Sequence, residues 1–105
     1  MRIATPDREI QLKALGNAQR MAVLNLLKNP AVTFSAQWSA DPAEFGVCMS
    51  LIAENLGLSQ PTVSRHLDIL HRASFISVQK KHKWSYCLRN EEGIREFLNW
   101  LGKTL

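Results

Sequence analysis

The sequence predicts a mainly α-helical domain that also contains a small β-hairpin, with about five helices and two to three strands. Two observations predict this. Apolar residues recur at helical spacing through most of the chain, and near residue 75 that spacing gives way to a short alternating pattern. The chain has 105 residues, of which 46% are hydrophobic, and this suits one compact domain over residues 1–105 with a small core.

The first two predicted helices lie on either side of Gly16. The first runs from Asp7 to Leu15 and is ended by that glycine. Its apolar side consists of Ile10, Leu12, Ala14 and Leu15. Asn17 can cap the second helix, which is apolar on most sides as far as Leu27 and should therefore lie at the centre of the core. The dipeptide Asn29-Pro30 stops it.

Residues 31–47 form an irregular connection that is unusually long for so small a domain, and such connections are often functional. We expect a short strand near Val32 to Phe34 that pairs with the β-hairpin. The three aromatic residues Phe34, Trp38 and Phe45 either cover a pocket or pack against the core. The sequence leaves the role of this segment open.

A helix-turn-helix is predicted over residues 48–73. Its first helix spans Cys48 to Leu56, and the Gly57 that follows can take the left-handed conformation that closes a helix. Ser59 is a good N-cap for the second helix, since its hydroxyl can accept from a free N–H of the first turn. Pro61 falls in that turn, where a missing N–H costs nothing.

The second helix of this motif has two different sides. Val63, Leu67 and Leu70 recur at i, i+4, i+7 and form one apolar stripe. Its N-terminal end instead offers hydrogen-bonding side chains, namely Gln60, Thr62, Ser64 and Arg65. Such a helix suits docking into the major groove of DNA, and we call it the recognition helix. The alternative is a plain corner between two helices of a helical domain.

A β-hairpin, which we call the wing, is predicted over residues 75–89. Phe75 to Gln79 is rich in residues that favour strands, and Trp84 to Arg89 alternates large with small or polar residues. The connection between them consists of Lys80, Lys81, His82 and Lys83. A hairpin directly after a recognition helix can reach phosphates or the minor groove, as in a winged helix-turn-helix. Otherwise the four residues form a solvated tip.

The last predicted helix runs from Asn90 to Leu101. Asn90 suits the N-cap, and two glutamates suit the positive end of the helix dipole. The apolar stripe of this helix consists of Ile94, Phe97, Leu98 and Leu101. This is more apolar surface than a small monomer easily buries, so we expect residues 90–102 to pair with residues 7–16 of a second subunit. The alternative is packing within one subunit only.

Composition narrows the function further. The formal net charge of +4 favours a polyanionic partner. The sequence holds no apolar run that is long enough to cross a membrane, and residues 1–6 lack the apolar core of a signal peptide. Two cysteines make no disulfide framework, so we expect a reducing, cytoplasmic setting. Because no Ser/His/Asp set, Gly-rich phosphate loop or paired-carboxylate site can be argued, we expect no enzyme activity.

The run from Ala53 to Leu67 resembles the helix-turn-helix of the ArsR/SmtB family of bacterial repressors. Leu12 to Arg20 is similar to the family's first two helices, and Trp84 to Leu88 is similar to the second strand of its wing. The resemblance covers roughly residues 10–100 apart from residues 31–47. It implies a homodimeric winged helix-turn-helix, joined through its first and last helices, with each recognition helix in the major groove of an imperfect palindrome.

The resemblance also implies roles by position. Arg65 is the best candidate for a guanine edge, Gln60 for an adenine, and the Thr62 methyl group for a thymine. Ser59 should cap its helix and touch a phosphate, while His66 should lean into the domain. The predicted DNA-contacting residues are Ser59, Gln60, Pro61, Thr62, Ser64, Arg65, Lys80, Lys81, His82 and Lys83. The predicted dimer residues are Ile10, Leu12, Leu15, Ile94, Phe97, Leu98 and Leu101.

Members of this family release DNA when an inducer binds, often a metal ion or arsenite held by a Cys-x-Cys pair at the start of the first motif helix. Here Cys48 occupies the first position but Ser50 the second, so a site that needs two thiolates is incomplete. The family's other site uses Asp and His on the last helix. That helix has Glu91, Glu92 and Glu96 here, but no histidine. We therefore expect no cofactor and no complete metal site, although the sequence leaves a metal or metalloid inducer open.

Two cysteines remain as possible sensors. Cys48 lies at a helix N-terminus, where the dipole favours the thiolate, and Cys87 lies on the second wing strand. They either form a redox pair within or between subunits, or are unrelated core residues.

The sequence thus predicts a homodimeric, sequence-specific DNA-binding repressor that is released by a metal or metalloid, by thiol oxidation or by an unknown inducer. The alternative is a winged-helix module for protein–protein contact without specific DNA binding.

Overall fold

The structure is a computed structural model that describes residues 6–105. Over these residues the chain forms α1 (Arg8–Leu15), α2 (Ala18–Leu26), α3 (Pro30–Thr33), β1 (Val47–Cys48), α4 (Met49–Leu56), α5 (Gln60–Arg72), β2 (Ile76–Lys81), β3 (Trp84–Arg89) and α6 (Glu91–Thr104). The predicted mainly helical fold with a small wing is confirmed, with one more helix than expected. None of the described helices has the length and apolarity to span a bilayer. Most of the stretch judged for a signal peptide, residues 1–5, lies outside the described residues.

The first two helices form as the sequence predicts, although α1 buries a different side. Gly16 ends α1, and the Asn17 side chain caps α2 by accepting from two backbone N–H groups of its first turn. Gln11 and Ala14 are the residues of α1 that turn to the core. Ile10 and Leu12 are exposed instead. The apolar side predicted for this helix is therefore largely not its buried side.

The segment 31–47 corrects one prediction. Residues Val32 and Thr33 lie in the short helix α3, not in a strand. Pro30 occupies the first turn of α3, where its fixed backbone angle favours a helix, and the Phe34 N–H donates to the Pro30 carbonyl at 2.9 Å. The strand that pairs with the wing lies further along the chain, at β1, directly before α4.

The sheet has the order β1-β3-β2, with both pairs antiparallel. Cys87 on the central strand lies between Val47 and Val78. The hairpin is tighter than predicted, because Lys80 and Lys81 continue strand β2 and pair with β3. Its turn therefore consists of His82 and Lys83 alone, with His82 in the left-handed region at φ 58°.

Helix α6 closes the core and extends beyond its predicted end at Leu101, to Thr104. The Asn90 side chain caps it by accepting from the Gly93 N–H at 3.1 Å. Phe97 is 1% exposed, and its ring packs edge-on against the core residue Phe75 with centroids 5.2 Å apart. The ring of Phe97 is therefore enclosed within one subunit and leaves almost no surface for the predicted dimer contact.

Candidate nucleic-acid interface

The turn before α5 has the local geometry that the sequence predicts. Gly57 adopts φ 66° in the left-handed region, and the Leu58 N–H donates back to the Ala53 carbonyl at 3.0 Å. The Ser59 hydroxyl accepts from the Thr62 N–H at 3.3 Å and donates to the Thr62 hydroxyl at 2.9 Å. The start of α5 is thereby capped.

Helix α5 buries its predicted stripe and exposes its polar end. Val63 and Leu70 are fully buried, and Leu67 nearly so. Four predicted DNA-contacting residues of the helix are exposed, namely Gln60, Pro61, Ser64 and Arg65. Thr62 is only half-exposed, and its hydroxyl is already bonded to Ser59. The open face of the first two turns therefore presents an amide, a hydroxyl and a guanidinium, the groups that read base edges.

His66 leans into the domain, as predicted, and connects α5 to α2. Its Nε2 lies 2.7 Å from the Gln19 Oε1, and its Nδ1 lies 3.2 Å from a guanidinium nitrogen of Arg20. Burial lowers the pKa of His66, and the positive charges of Arg20 and Arg65 lower it further. With a neutral ring, Nε2–H donates to Gln19 while Nδ1 accepts from Arg20.

Two anchors of the recognition helix were missed in the sequence. Arg20 also donates to the carbonyls of Ala14 at 2.7 Å and Lys13 at 3.0 Å, so it ties the end of α1 to α2 and α5. Gln11 is 1% exposed and donates to the carbonyl of Ala73, the C-cap of α5, at 3.0 Å. These bonds join residues far apart in sequence, and no local pattern marks them. They hold α5 in place at its middle, through His66, and at its C-terminal end, through Ala73.

The four basic residues of the wing do not share one face. Lys80 lines a cavity of about 360 Å³ with Ser64 and Asp68, so it lies on the side of the wing that faces α5. The ammonium of Lys81 lies 5.5 Å from the centre of the Phe45 ring, on the other side. His82 and Lys83 form the exposed turn. The structure thus brings Lys80 and the turn beside the exposed end of α5. Lys81 lies on the other side of the wing, away from this end.

The two cysteines lie on neighbouring strands but face opposite sides of the sheet. Cys87 is opposite Val47, whereas Cys48 is opposite Tyr86, and successive residues of a strand point to opposite faces. Both thiols are free and buried. The Sγ of Cys48 lies 3.1 Å from the Ser50 hydroxyl, at the positions where the family pattern requires two thiolates. Within residues 6–105, no three His, Cys, Asp or Glu side chains are grouped to hold a metal ion.

The predicted dimer residues lie on α1 and α6 and differ in their exposure. Leu98 is 58% exposed and Leu12 47%, which is unusual for such large apolar side chains. Leu15, Ile94 and Leu101 are half-buried. The two helices are joined within the subunit by Arg8, whose guanidinium donates twice to the Glu96 carboxylate, at 2.7 and 2.6 Å. The exposed leucines therefore provide apolar surface on two helices that are tied together within the subunit.

Sequence comparisons place these features among known proteins. Residues 47–78 match the family model described as bacterial regulatory protein, arsR family. YbzH, an uncharacterised HTH-type transcriptional regulator of Bacillus subtilis (strain 168), is 37% identical over 89 residues, which cover 85% of this chain and 89% of YbzH. The transcriptional repressor SdpR of the same organism is 30% identical over 89 residues, covering 85% of this chain and 82% of SdpR.

Solved structures show the same fold. The ArsR family transcriptional regulator RHA00566 aligns with a TM-score of 0.68 at 18% identity, over 92% of this chain and 84% of that one. The homodimeric winged helix-turn-helix DNA-binding domain of Mb0332 from Mycobacterium bovis aligns with a TM-score of 0.62 at 20% identity, over 98% and 90% of the two chains. These likenesses establish a winged helix-turn-helix fold, and the identity with YbzH over most of both chains establishes the family. The chain belongs to the arsR family of bacterial regulatory proteins.

Proposed function

We propose that this chain is a homodimeric, sequence-specific DNA-binding repressor of transcription that dissociates from its operator when an inducer binds. The observation that carries the proposal is the exposed polar end of α5 beside the basic turn of the wing. Within residues 6–105, the side chains of Arg65, Ser64 and Gln60 make no hydrogen bond to the rest of the fold, whereas His66 on the same helix bonds to α2. A fixed helix with free base-reading groups is what recognition of a defined DNA sequence requires.

The names of the relatives support this function. SdpR is a transcriptional repressor, and Mb0332 contains a homodimeric DNA-binding domain. For this chain, the apolar surface on α1 and α6 supports pairing of two subunits. Such a dimer would present two copies of α5 to half-sites about one helical turn apart, or a multiple of that spacing. The operator would then be an imperfect palindrome.

The inducer is the less defined part of the proposal. Cys48 and Ser50 do not supply the thiolate pair that would hold a metal or metalloid, so thiol chemistry, if it operates, requires Cys48 or Cys87. Because these two side chains face opposite sides of the sheet, oxidation would not join them within one subunit. Cys87 is 0% exposed and is closed to a second subunit as well, which leaves Cys48 as the candidate sensor thiol. The fold as it stands offers no intrasubunit disulfide.

The test is a selection of bound duplexes from a random-sequence pool under reducing conditions, followed by fluorescence anisotropy on the enriched duplex and on a shuffled duplex of equal length. A duplex from upstream of the protein's own gene enters as a third probe. We expect enrichment of a palindrome that is bound at least about a thousandfold more tightly than the shuffled duplex. A pool without enrichment, with equal weak binding to all three probes, would instead support the protein-contact module.

A further inference from the structure

A cavity of about 380 Å³ lies between the segment 31–47, helix α4 and the beginning of strand β3. Its walls include Phe34, Trp38, Ser50, Leu51, Glu54 and Trp84. The volume falls in the range of about 300–1,000 Å³ that is typical of small-molecule sites. The cavity is separate from the exposed face of α5, and the arrangement proposed for DNA does not use it.

The walls of this cavity are held in place by specific bonds. The Gln37 amide donates to the carbonyls of Ala40 at 2.8 Å and Gly46 at 2.9 Å, and its oxygen accepts from the Cys48 N–H at 2.8 Å. The Tyr86 hydroxyl donates to the Ser39 hydroxyl at 2.8 Å. The segment 31–47 is therefore tied to β1 and β3, and the cavity is formed before any ligand enters, which lowers the entropic cost of binding.

The chemistry of the walls is aromatic on one side and acidic on another. Two indoles line the cavity. Trp38 is 88% exposed, so its large apolar ring is open to solvent at the rim of the cavity. Among the residues that the structure describes, Glu54 alone brings a charge to the lining, and it is negative. The ammonium of Lys83 lies 5.8 Å from the centre of the Trp84 ring, which is within the range of a cation–π contact.

We propose that this cavity binds a small planar aromatic cation, with its ring against the indoles of Trp38 and Trp84 and its positive charge towards Glu54. Indole faces attract cations through their negative quadrupole, and a flat ring adds apolar contact area. A neutral ring of the same shape would lose the attraction to Glu54 and to the ring faces. An anion of the same shape would be repelled by the carboxylate.

The test uses the indole N–H signals in the ¹⁵N–¹H spectrum of the whole chain, which has three tryptophans. The probe is N-methylquinolinium, and 1-methylnaphthalene and 1-naphthoate are its neutral and anionic counterparts. We expect the cation to shift the signals of Trp38 and Trp84 saturably. Trp100 lies on α6, packed against Phe97 and Arg8, and should not respond. The cation should bind about tenfold more tightly than the neutral ring.

Three variants locate the site. Trp38→Ala removes an exposed ring that the fold does not bury, so it should fold normally and bind the cation about tenfold more weakly. Glu54→Gln should weaken binding of the cation about threefold and leave the affinity for the neutral ring unchanged. Glu44→Gln removes the same charge from the segment 31–47 without lining the cavity, and it should leave both affinities unchanged.

Several results would overturn the proposal: equal movement of all three indole signals, no saturable shift with any probe, or tighter binding of the neutral or anionic ring. These measurements are made without DNA, so they stand or fall independently of the proposed function. The effect of occupancy on DNA binding rests on that function. Trp84 lies next to Lys83 in the wing. Adding the same probe to a preformed protein–DNA complex would therefore measure, as a separate experiment, whether occupancy of the cavity weakens DNA binding.

Discussion

The Nε2 atom of His66 on the recognition helix lies 2.7 Å from the Oε1 of Gln19 on α2. This contact joins the helix proposed to bind DNA to the first turn of α2. Because Arg20, the neighbour of Gln19, contacts the other ring nitrogen, both nitrogens of the imidazole have partners. Protonation of Nδ1 would remove the contact with Arg20, because both groups would then be donors.

We expect stability to fall as the pH drops through the titration of His66. Burial, followed by the charges of Arg20 and Arg65, holds the pKa of this residue below its ordinary 6.5. The unfolded chain then binds the proton more readily, so the contribution of the neutral ring is complete above pH 6.5 and is lost as the pH falls through the folded-state pKa. Urea unfolding between about pH 7.5 and about pH 5.5 measures this loss.

Two histidine variants test whether His66 causes this pH dependence of stability. His66→Gln should flatten the pH dependence in that window, because the amide cannot titrate. His82→Gln, which changes the exposed turn of the wing, should leave it as in the wild type. An unchanged slope in His66→Gln would show that another group is responsible.

Arg65 and Lys83 should affect DNA binding in different ways. Arg65→Ala should cost about 1–3 kcal/mol on the operator and relax the choice of base at one position, because a guanidinium can bond a guanine edge at two points. Lys83→Ala should weaken binding to all sequences alike and reduce the salt slope by about one. Anisotropy titrations on operator and shuffled duplexes over a range of salt separate the two. Equal losses on both duplexes for Arg65→Ala would contradict its role in reading bases.

Leu98→Glu should convert the dimer to a monomer. The side chain is 58% exposed on α6, and a carboxylate there would be buried without a partner when two subunits meet. Sedimentation velocity measures the outcome, and circular dichroism checks that the monomer stays folded. The control is Leu105→Glu, which makes the same change at the 96% exposed end of the chain. A Leu98→Glu protein that remained dimeric would place the interface elsewhere.

Gly93→Ala should destabilise the fold, whereas Gly102→Ala on the same helix should not. A methyl group on Gly93 would overlap the carbonyl oxygen of Ser74, which is backbone and cannot turn aside. A methyl group on Gly102 meets nothing, and alanine favours a helix interior by up to about 1 kcal/mol over glycine. Thermal unfolding of the two variants gives the comparison. Equal melting temperatures would mean that α6 can shift away from the turn before β2.

Cys87 should stay unreactive while the protein is folded. Burial raises its pKa to about 12, and the nearby Cys48 adds to the shift, so the thiol remains protonated at neutral pH. In a Cys48→Ser protein, iodoacetamide at about pH 8 should label Cys87 only after urea is added. If a thiol senses oxidant or arsenite, the same variant should bind DNA but lose the response. Fast labelling of folded Cys48→Ser would contradict the buried state.

The parts of this fold that were predicted from sequence are those with local causes. Ser59 and Asn17 cap helices by bonding N–H groups two or three residues away, and Gly57 turns the chain at its own position. Such interactions can be inferred from a few adjacent residues. The amphipathic stripe of α5 has the same character, because helical spacing alone determines which side chains share a face.

The parts that were missed depend on contacts between distant residues. Gln11, Arg20 and Gln19 are ordinary polar residues of surface helices until the tertiary structure brings them against α5. Phe97 fits an exposed apolar stripe equally well as a core position, and only its packing on Phe75 decides between them. Pro30 marks the end of one helix but serves equally as the start of another.

Gln37 holds the segment 31–47 through backbone atoms, so the side chains of neighbouring residues can be substituted without loss of these bonds. Its three bonds go to main-chain atoms of Ala40, Gly46 and Cys48, and main-chain atoms are the same whatever the side chain. Residues such as Trp38 can therefore be exchanged while the shape of the loop is kept. Natural divergence or laboratory randomisation at these positions could change what the cavity admits while the recognition helix and its operator stay the same.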